Sequence, residues 1–239
     1  MAQQARNFNR RYAREYNWFR TLFYYGVIFF MVIPYMKKHY NFTVTGRENL
    51  PKHKKANKLL FTANHVSELD PPMVSMAVMR PVAYMAKKEL FEEGGKREWL
   101  VKRLGAFAVD RAKPEIATFK TVKDILSTSW SLGVFPQGGT RPYGKLDDLK
   151  KGFVVIAKKA KADIVPVAIG NWDGYPDKNN PKEKKNVSLH ICEPISYELE
   201  ADEILYLWSK RISEHADYTE IMPPPSKATS EARVERATT

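Results

Sequence analysis

The sequence predicts an α/β fold: a central, mostly parallel mixed sheet covered by helices and preceded by an N-terminal helical motif. Three observations carry this reading. From residue 41 onward, short β-rich runs alternate with helical stretches. Several of those runs are apolar throughout, as strands are when both faces of the sheet are covered. Before residue 41 the pattern differs, with a basic aromatic stretch leading into a long uncharged run.

The strands are expected at 41–46 (NFTVTG), 59–64 (LLFTAN), 82–87 (VAYMAK), 106–110 (AFAVD), 132–136 (LGVFP), 164–169 (IVPVAI) and 187–192 (VSLHIC). Helices are expected at 71–79, 97–104, 115–129, 150–160 and 199–214. A chain of 239 residues suits one such domain, placed here at 41–222. The stretch 223–239 opens on prolines and continues small and polar, the composition of a disordered tail. No internal repeat is visible.

Residues 1–20 read as one helix, because Phe8, Tyr12, Tyr16, Phe19 and Phe23 recur at steps of four, four, three and four. Arg6, Arg10, Arg11 and Arg14 fall on its other side. Aromatic rings opposite guanidinium groups suit an anionic membrane surface, the rings at headgroup depth and the cations on lipid phosphates. The run Thr21–Met36 has 16 uncharged residues, bracketed by Arg20 and Lys37. That is short of the roughly 20 that cross a bilayer as a helix. With Pro34 near its end, it fits a half-inserted or re-entrant segment better than a span. Residues 1–40 are therefore expected to be the membrane-binding motif, and no small-residue cleavage site marks them as a signal peptide.

Lys and Arg number 39 against 27 Asp and Glu, a net charge of +12. An anionic partner follows: an acidic membrane, a phosphorylated substrate or a nucleic acid. Residues 1–50 hold half of that excess, +6, beside the apolar run. No zinc-finger, RNA-recognition or helix-turn-helix signature accompanies the charge, which argues against nucleic acid. Cys192 is the single cysteine, so no intrachain disulfide forms, and no Cys/His spacing marks a metal site. It reads as a small core residue rather than a nucleophile.

The chemical signal lies in LLFTANHVSELDPPM. His65 follows the end of a strand, where α/β folds gather their sites. Asp70 stands before Pro71 and Pro72, in the manner of a helix N-cap. On a loop, His65 and Asp70 can meet. A carboxylate on Nδ1 fixes the tautomer and leaves Nε2 free as a base. If the substrate supplies the hydroxyl, no protein nucleophile is needed.

In context, Asn64, His65, Ser67 and Asp70 resemble the first motif of the glycerolipid acyltransferase family, an NHxSxxD arrangement. Three further stretches are similar to the family's other motifs and follow in order. MAKKELFEEGGKREWLVKRLGAFAVDR (85–111) contains Lys87 at one end and Val109-Asp110-Arg111 at the other. VFPQGGTRPYG (134–144) and IVPVAIG (164–170) complete the set. The third departs from the family's pattern, with Gln137 where glutamate is usual and a second glycine before Thr140. Gln137 lowers activity if the glutamate is needed for charge; it serves if the position is a hydrogen-bonding anchor.

The resemblance implies O-acyl transfer from an acyl thioester, on acyl-carrier protein or coenzyme A, to the sn-2 hydroxyl of lysophosphatidic acid; the alternatives are glycerol 3-phosphate or another lysophospholipid as acceptor, or a non-catalytic lipid-binding protein of the same fold. His65 and Asp70 are then catalytic, and no metal or cofactor is required. Lys87, Arg111 and Arg141 are expected to bind the substrate phosphate. Gly138, Gly139 and Thr140 would form a loop that approaches it closely. The enzyme would work at the cytoplasmic face of a membrane.

Overall fold

The computed structural model describes residues 10–51, 58–92, 94–109, 116–146 and 149–218. Arg6, Phe8, Asp110, Arg111 and the predicted tail at 223–239 lie outside the described residues.

Apolar runs without a polar face become inner strands. LLFTA (Leu59–Ala63) is buried at every position, and so is almost all of Asp163–Gly170. The strands are β1 (Tyr40–Thr45), β2 (Leu59–Ala63), β3 (Val82–Lys87), β4 (Phe107–Val109), β5 (Ser131–Val134), β6 (Asp163–Gly170) and β7 (Lys185–Ile191). They form a seven-stranded sheet in the order β1-β7-β6-β2-β5-β3-β4. Every neighbouring pair is parallel except β6 and β7. This is the mostly parallel mixed sheet that the sequence predicts. The edge strand β1 alternates buried and open positions, as a strand covered on one face should.

The helices are α1 (Trp18–Val27), α2 (Ile33–His39), α3 (Asp70–Val78), α4 (Gly95–Arg103), α5 (Ile116–Ile125), α6 (Gly152–Ala160) and α7 (Ala201–Ala216). α7 buries Ile204, Leu205, Trp208, Ile212 and Ala216, a stripe at helical spacing. The Trp208 indole N–H donates to the Thr62 hydroxyl at 2.8 Å, tying this helix to β2.

The N-terminus differs from its expected form. Among the described residues, 10–17 contain one short 3-10 turn, Ala13–Glu15, rather than a continuing helix. Tyr16 is buried, and its hydroxyl donates to the Gly105 carbonyl at 2.9 Å. Arg10 pairs with Asp124 at 2.6 Å, and the Arg11 N–H donates to the Thr121 hydroxyl at 3.0 Å. This segment is a strap on α5. The recurrence of aromatics fits a helix, but the partners of Tyr16, Arg10 and Arg11 lie on the chain's own domain, and docking there overrides the local pattern.

The helix proper starts at Trp18, capped by the Asn17 side chain, which accepts the Arg20 N–H at 3.1 Å. It runs to His39 with a π-helical turn at Ile28–Val32. Pro34 is the reason for the turn. It has no N–H for the carbonyl four residues back, and its ring collides with that carbonyl. The widened turn relieves the clash, and Ile33 bonds Ile28 instead. So Pro34 widens one turn of the helix without ending it. At 22 residues, Trp18–His39 is long and apolar enough to cross a bilayer, by length and composition alone. Tyr24, Val27, Ile28 and Met36 are nevertheless buried against the domain. The opposite side leaves Trp18, Phe19, Leu22, Phe29, Phe30, Met31 and Tyr35 exposed.

Candidate active site

Two loops leave neighbouring parallel strands at the same edge. β2 and β5 pair with Thr62 opposite Val134, so Asn64-His65 and Gln137-Gly138 emerge side by side. The backbone of His65 is clamped between them. Its N–H donates to the Gln137 Oε1 at 2.8 Å, and its carbonyl accepts the Arg141 N–H at 2.7 Å. Gln137 is buried, and its amide donates onward to the Lys145 carbonyl at 2.9 Å. It is thus an anchor that uses both ends of its amide. Both bonds are those of a neutral amide, as a hydrogen-bonding anchor requires.

The ring of His65 is held from two sides. Its Nδ1 lies 2.6 Å from the Asp70 Oδ2. Its face stacks on Phe135, with centroids 4.2 Å apart and planes 21° apart. Phe135 in turn stacks on Tyr84 from β3. Gly133 makes room for this column, since a Cβ there would come within 2.5 Å of the Tyr84 ring. Burial keeps the Tyr84 phenol well above its usual range, so it stays neutral at physiological pH.

Asp70 is fully buried, at 0% exposed. It was expected to cap α3, but its carboxylate turns back to the preceding loop. Oδ2 accepts the N–H groups of Val66 at 2.7 Å and Ser67 at 2.9 Å, and Oδ1 accepts the Ser67 hydroxyl at 2.7 Å. Three donors besides the imidazole therefore satisfy the buried charge. Pro71 and Pro72, at the head of α3, bring no N–H to compete for it. The Nε2 of His65 has no hydrogen-bond partner among the described residues, and the side chain is 16% exposed. The arrangement offers an oriented base at an open edge, backed by a buried carboxylate.

The expected phosphate-binding residues divide. Arg141 is in the site: its backbone touches His65, and its guanidinium bonds the Thr140 and Gln137 carbonyls at 3.3 and 3.4 Å. Gly138 turns the loop with a φ of +70°, and its N–H closes on the Phe135 carbonyl at 2.9 Å. The N–H groups of Gly139 and Thr140 carry no partner among the described residues. Lys87 does not touch His65. It ends β3 as an exposed residue, and with β5 between β3 and β2 it stands two strand spacings away, about 10 Å. Arg111 lies outside the described residues.

Several contributors to the site are not predicted by the sequence. Ser67 and Gln137 were visible within the motifs, but their bonds were not. Asn64 is buried and locks β2 to β6: its Oδ1 accepts the Ile169 N–H at 2.8 Å and its Nδ2 donates to the Ile169 carbonyl at 2.9 Å. Phe135 had no signal beyond its place beside Pro136.

Elsewhere, His190, Cys192 and His215 bring their potential ligand atoms within 4.8 Å of one another. Nothing in their sequence spacing suggested this. The two imidazoles stack face to face, 3.6 Å apart with planes 18° apart. Nitrogen lone pairs lie in the ring planes, so here they run side by side rather than converging on an ion. His190 Nδ1 is engaged by the Thr45 hydroxyl at 2.8 Å. Cys192 is a buried core residue, and burial pushes its thiol up to about 12. The thiol is neutral at physiological pH, unlike a metal-bound thiolate.

The sequence model of a family described as Acyltransferase matches residues 41–170. The 1-acyl-sn-glycerol-3-phosphate acyltransferase of Bacillus subtilis (strain 168) is 32% identical over 156 residues, spanning 64% of this chain and 72% of that protein. A Borreliella burgdorferi protein of the same name is 30% identical, over 57% of this chain and 54% of its own length. The crystal structure of the 1-acyl-sn-glycerophosphate (LPA) acyltransferase PlsC from Thermotoga maritima superimposes with a TM-score of 0.62 at 26% identity. It covers 82% of this chain and 77% of that one.

Proposed function

The chain belongs to the acyltransferase family, and from that premise we propose that it esterifies the sn-2 hydroxyl of lysophosphatidic acid to give phosphatidic acid. The observation that carries the proposal is the His65 imidazole, fixed by Asp70 at 2.6 Å with Nε2 left open. An acyl thioester, on acyl-carrier protein or coenzyme A, supplies the chain. As the acceptor oxygen attacks the thioester carbonyl, Nε2 takes its proton and the carbonyl π electrons move onto oxygen. Asp70 stabilises the imidazolium that forms. The N–H groups of Gly139 and Thr140, without partners among the described residues, are suited to receive the oxyanion. Collapse breaks the C–S bond, and the departing thiolate recovers the proton from His65.

The acceptor phosphate is assigned to Arg141 beside the base, with Lys87 at the end of β3 and Gly138 allowing close approach; Arg111 stays a further candidate from the motif resemblance.

The membrane assignment rests on the uncovered side of α1–α2. Phe30 is 84% exposed, and Trp18, Phe19 and Leu22 exceed 60%. Arg14 at one end and Lys37 and Lys38 at the other are exposed cations. Because Tyr16 and Tyr40 tie both ends of the helix to the domain, we read it as lying half-inserted along an anionic cytoplasmic membrane surface. In this reading the membrane motif within residues 1–40 is the helix Trp18–His39, 41–222 form the catalytic domain and 223–239 a tail.

The test is purified protein supplied with a labelled acyl thioester and a panel of acceptors. Ester formation on lysophosphatidic acid ahead of glycerol 3-phosphate and neutral lipid alcohols is expected. Preference for a non-phosphorylated acceptor would overturn the substrate assignment, and parallel runs with both thioesters identify the donor.

A further inference from the structure

The C-terminal end of α7 reaches over the strand edge that carries the site. Tyr218, two residues past the helix, is 5% exposed. Its hydroxyl accepts a hydrogen bond from the Asn64 Nδ2 at 3.0 Å, and the backbone of Gly144 faces the same oxygen. One phenol thus meets the residue before His65 and the loop that contains Arg141. The grip is reciprocal. Tyr143, from that loop, packs edge-on against the Tyr218 ring with centroids 5.3 Å apart. Its hydroxyl donates to the Ala216 carbonyl at 2.8 Å and accepts the Asn171 N–H at 2.7 Å.

We propose that Tyr218 is a positioning residue, whose hydroxyl holds the His65 loop and the Gln137–Gly144 loop in fixed relation from the end of α7. The argument is one of complete bonding. Asn64 places its oxygen and one amide hydrogen on Ile169, which leaves a single buried N–H with Tyr218 as its acceptor. Remove the oxygen and that N–H faces a ring edge, deep in the core, one residue from the base. An amide so placed turns to find a partner, and Asn64 cannot turn without pulling the end of β2 from β6. Burial raises the Tyr218 phenol above its ordinary range, so the group remains a neutral hydroxyl through the working pH range. The proposal depends on the reading of His65 as the base.

The experiment compares Tyr218→Phe with Tyr16→Phe in the full chain. Tyr16 is equally buried, and its hydroxyl bonds Gly105 at 2.9 Å, away from the site. With a water-soluble short-chain acceptor, Tyr218→Phe is expected to lower kcat roughly tenfold, the effect of a slight misplacement of a catalytic group, with KM little changed. Amide exchange over residues 64–70 and 135–145 should rise roughly fivefold, as for one lost buried hydrogen bond. Tyr16→Phe should do neither, even if it lowers the melting temperature as much. Unchanged exchange in those two segments overturns the proposal, with or without activity. So does a fall in kcat that Tyr16→Phe reproduces. Full activity in His65→Ala would instead retire the assignment of the base, and the exchange result would still decide whether Tyr218 holds the loops.

Discussion

The loop after β2 and the helix α1–α2 lie in one chain and treat their costly groups in opposite ways. In the loop the key polar groups are held by partners. Asp70 takes four hydrogen bonds and the backbone of His65 is clamped at both ends, while the His65 Nε2 has no partner among the described residues. In the helix it is the apolar groups that are unpaired: seven large side chains from Trp18 to Tyr35 face outward. A buried unsatisfied polar group and an exposed apolar patch each cost free energy, and each persists where something outside the chain relieves it. In the proposed reading the first exception receives the substrate hydroxyl and the second faces lipid.

Removing the base should give the sharpest break between the two regions. His65→Ala is expected to lower acyl transfer by about 10²–10⁴-fold while co-sedimentation with anionic vesicles stays at the wild-type level. Loss of vesicle binding in that variant would show the two regions to be one functional unit. Asp70→Asn should follow, with activity down roughly 10³-fold from loss of the fixed tautomer. It should also unfold earlier than His65→Ala. An amide nitrogen turned toward the Val66 or Ser67 N–H leaves a buried donor unpaired, at about 1–3 kcal/mol. Melting curves of the two variants check that order.

The helix gives the converse experiment. Replacing Phe29 and Phe30 with serine removes two exposed rings, each worth about 1.5–3 kcal/mol on burial in lipid. Vesicle binding should weaken by about a hundredfold or more. Turnover of a water-soluble acceptor should be unchanged, because neither side chain touches the site. Equal binding by the variant would refute the assignment of this face to the membrane.

What the sequence made legible follows from how local each feature is. The strands of the sheet are short apolar runs, and all seven appear within a few residues of their expected places. His65 and Asp70 could be paired because only four residues of loop separate them. The reason Asp70 works was not legible, since its donors lie upstream and proline at the helix start points to a cap. The column of His65, Phe135, Tyr84 and Gly133 needs the register of three strands, which no periodicity encodes. The strap at 10–17 failed for the opposite reason. Its aromatics do repeat at helical spacing, but Tyr16 bonds Gly105, 89 residues away.

Gln137 gives the smallest effect and the most discriminating one, because it asks whether a glutamate would serve in this particular loop. A carboxylate there can still accept the His65 N–H, as Oε1 does at 2.8 Å. It cannot donate to the Lys145 carbonyl, which now receives the amide at 2.9 Å. Gln137→Glu therefore places two acceptors face to face in a buried position. The expected result is a loss of stability of about 1–3 kcal/mol, with kcat within a few-fold of wild type. A rise in activity would mean that charge at this position contributes to the reaction and that the glutamine form runs below its capacity. A stability loss with near-normal turnover would make the residue an anchor for the His65 backbone, matched to the carbonyl that its own loop presents.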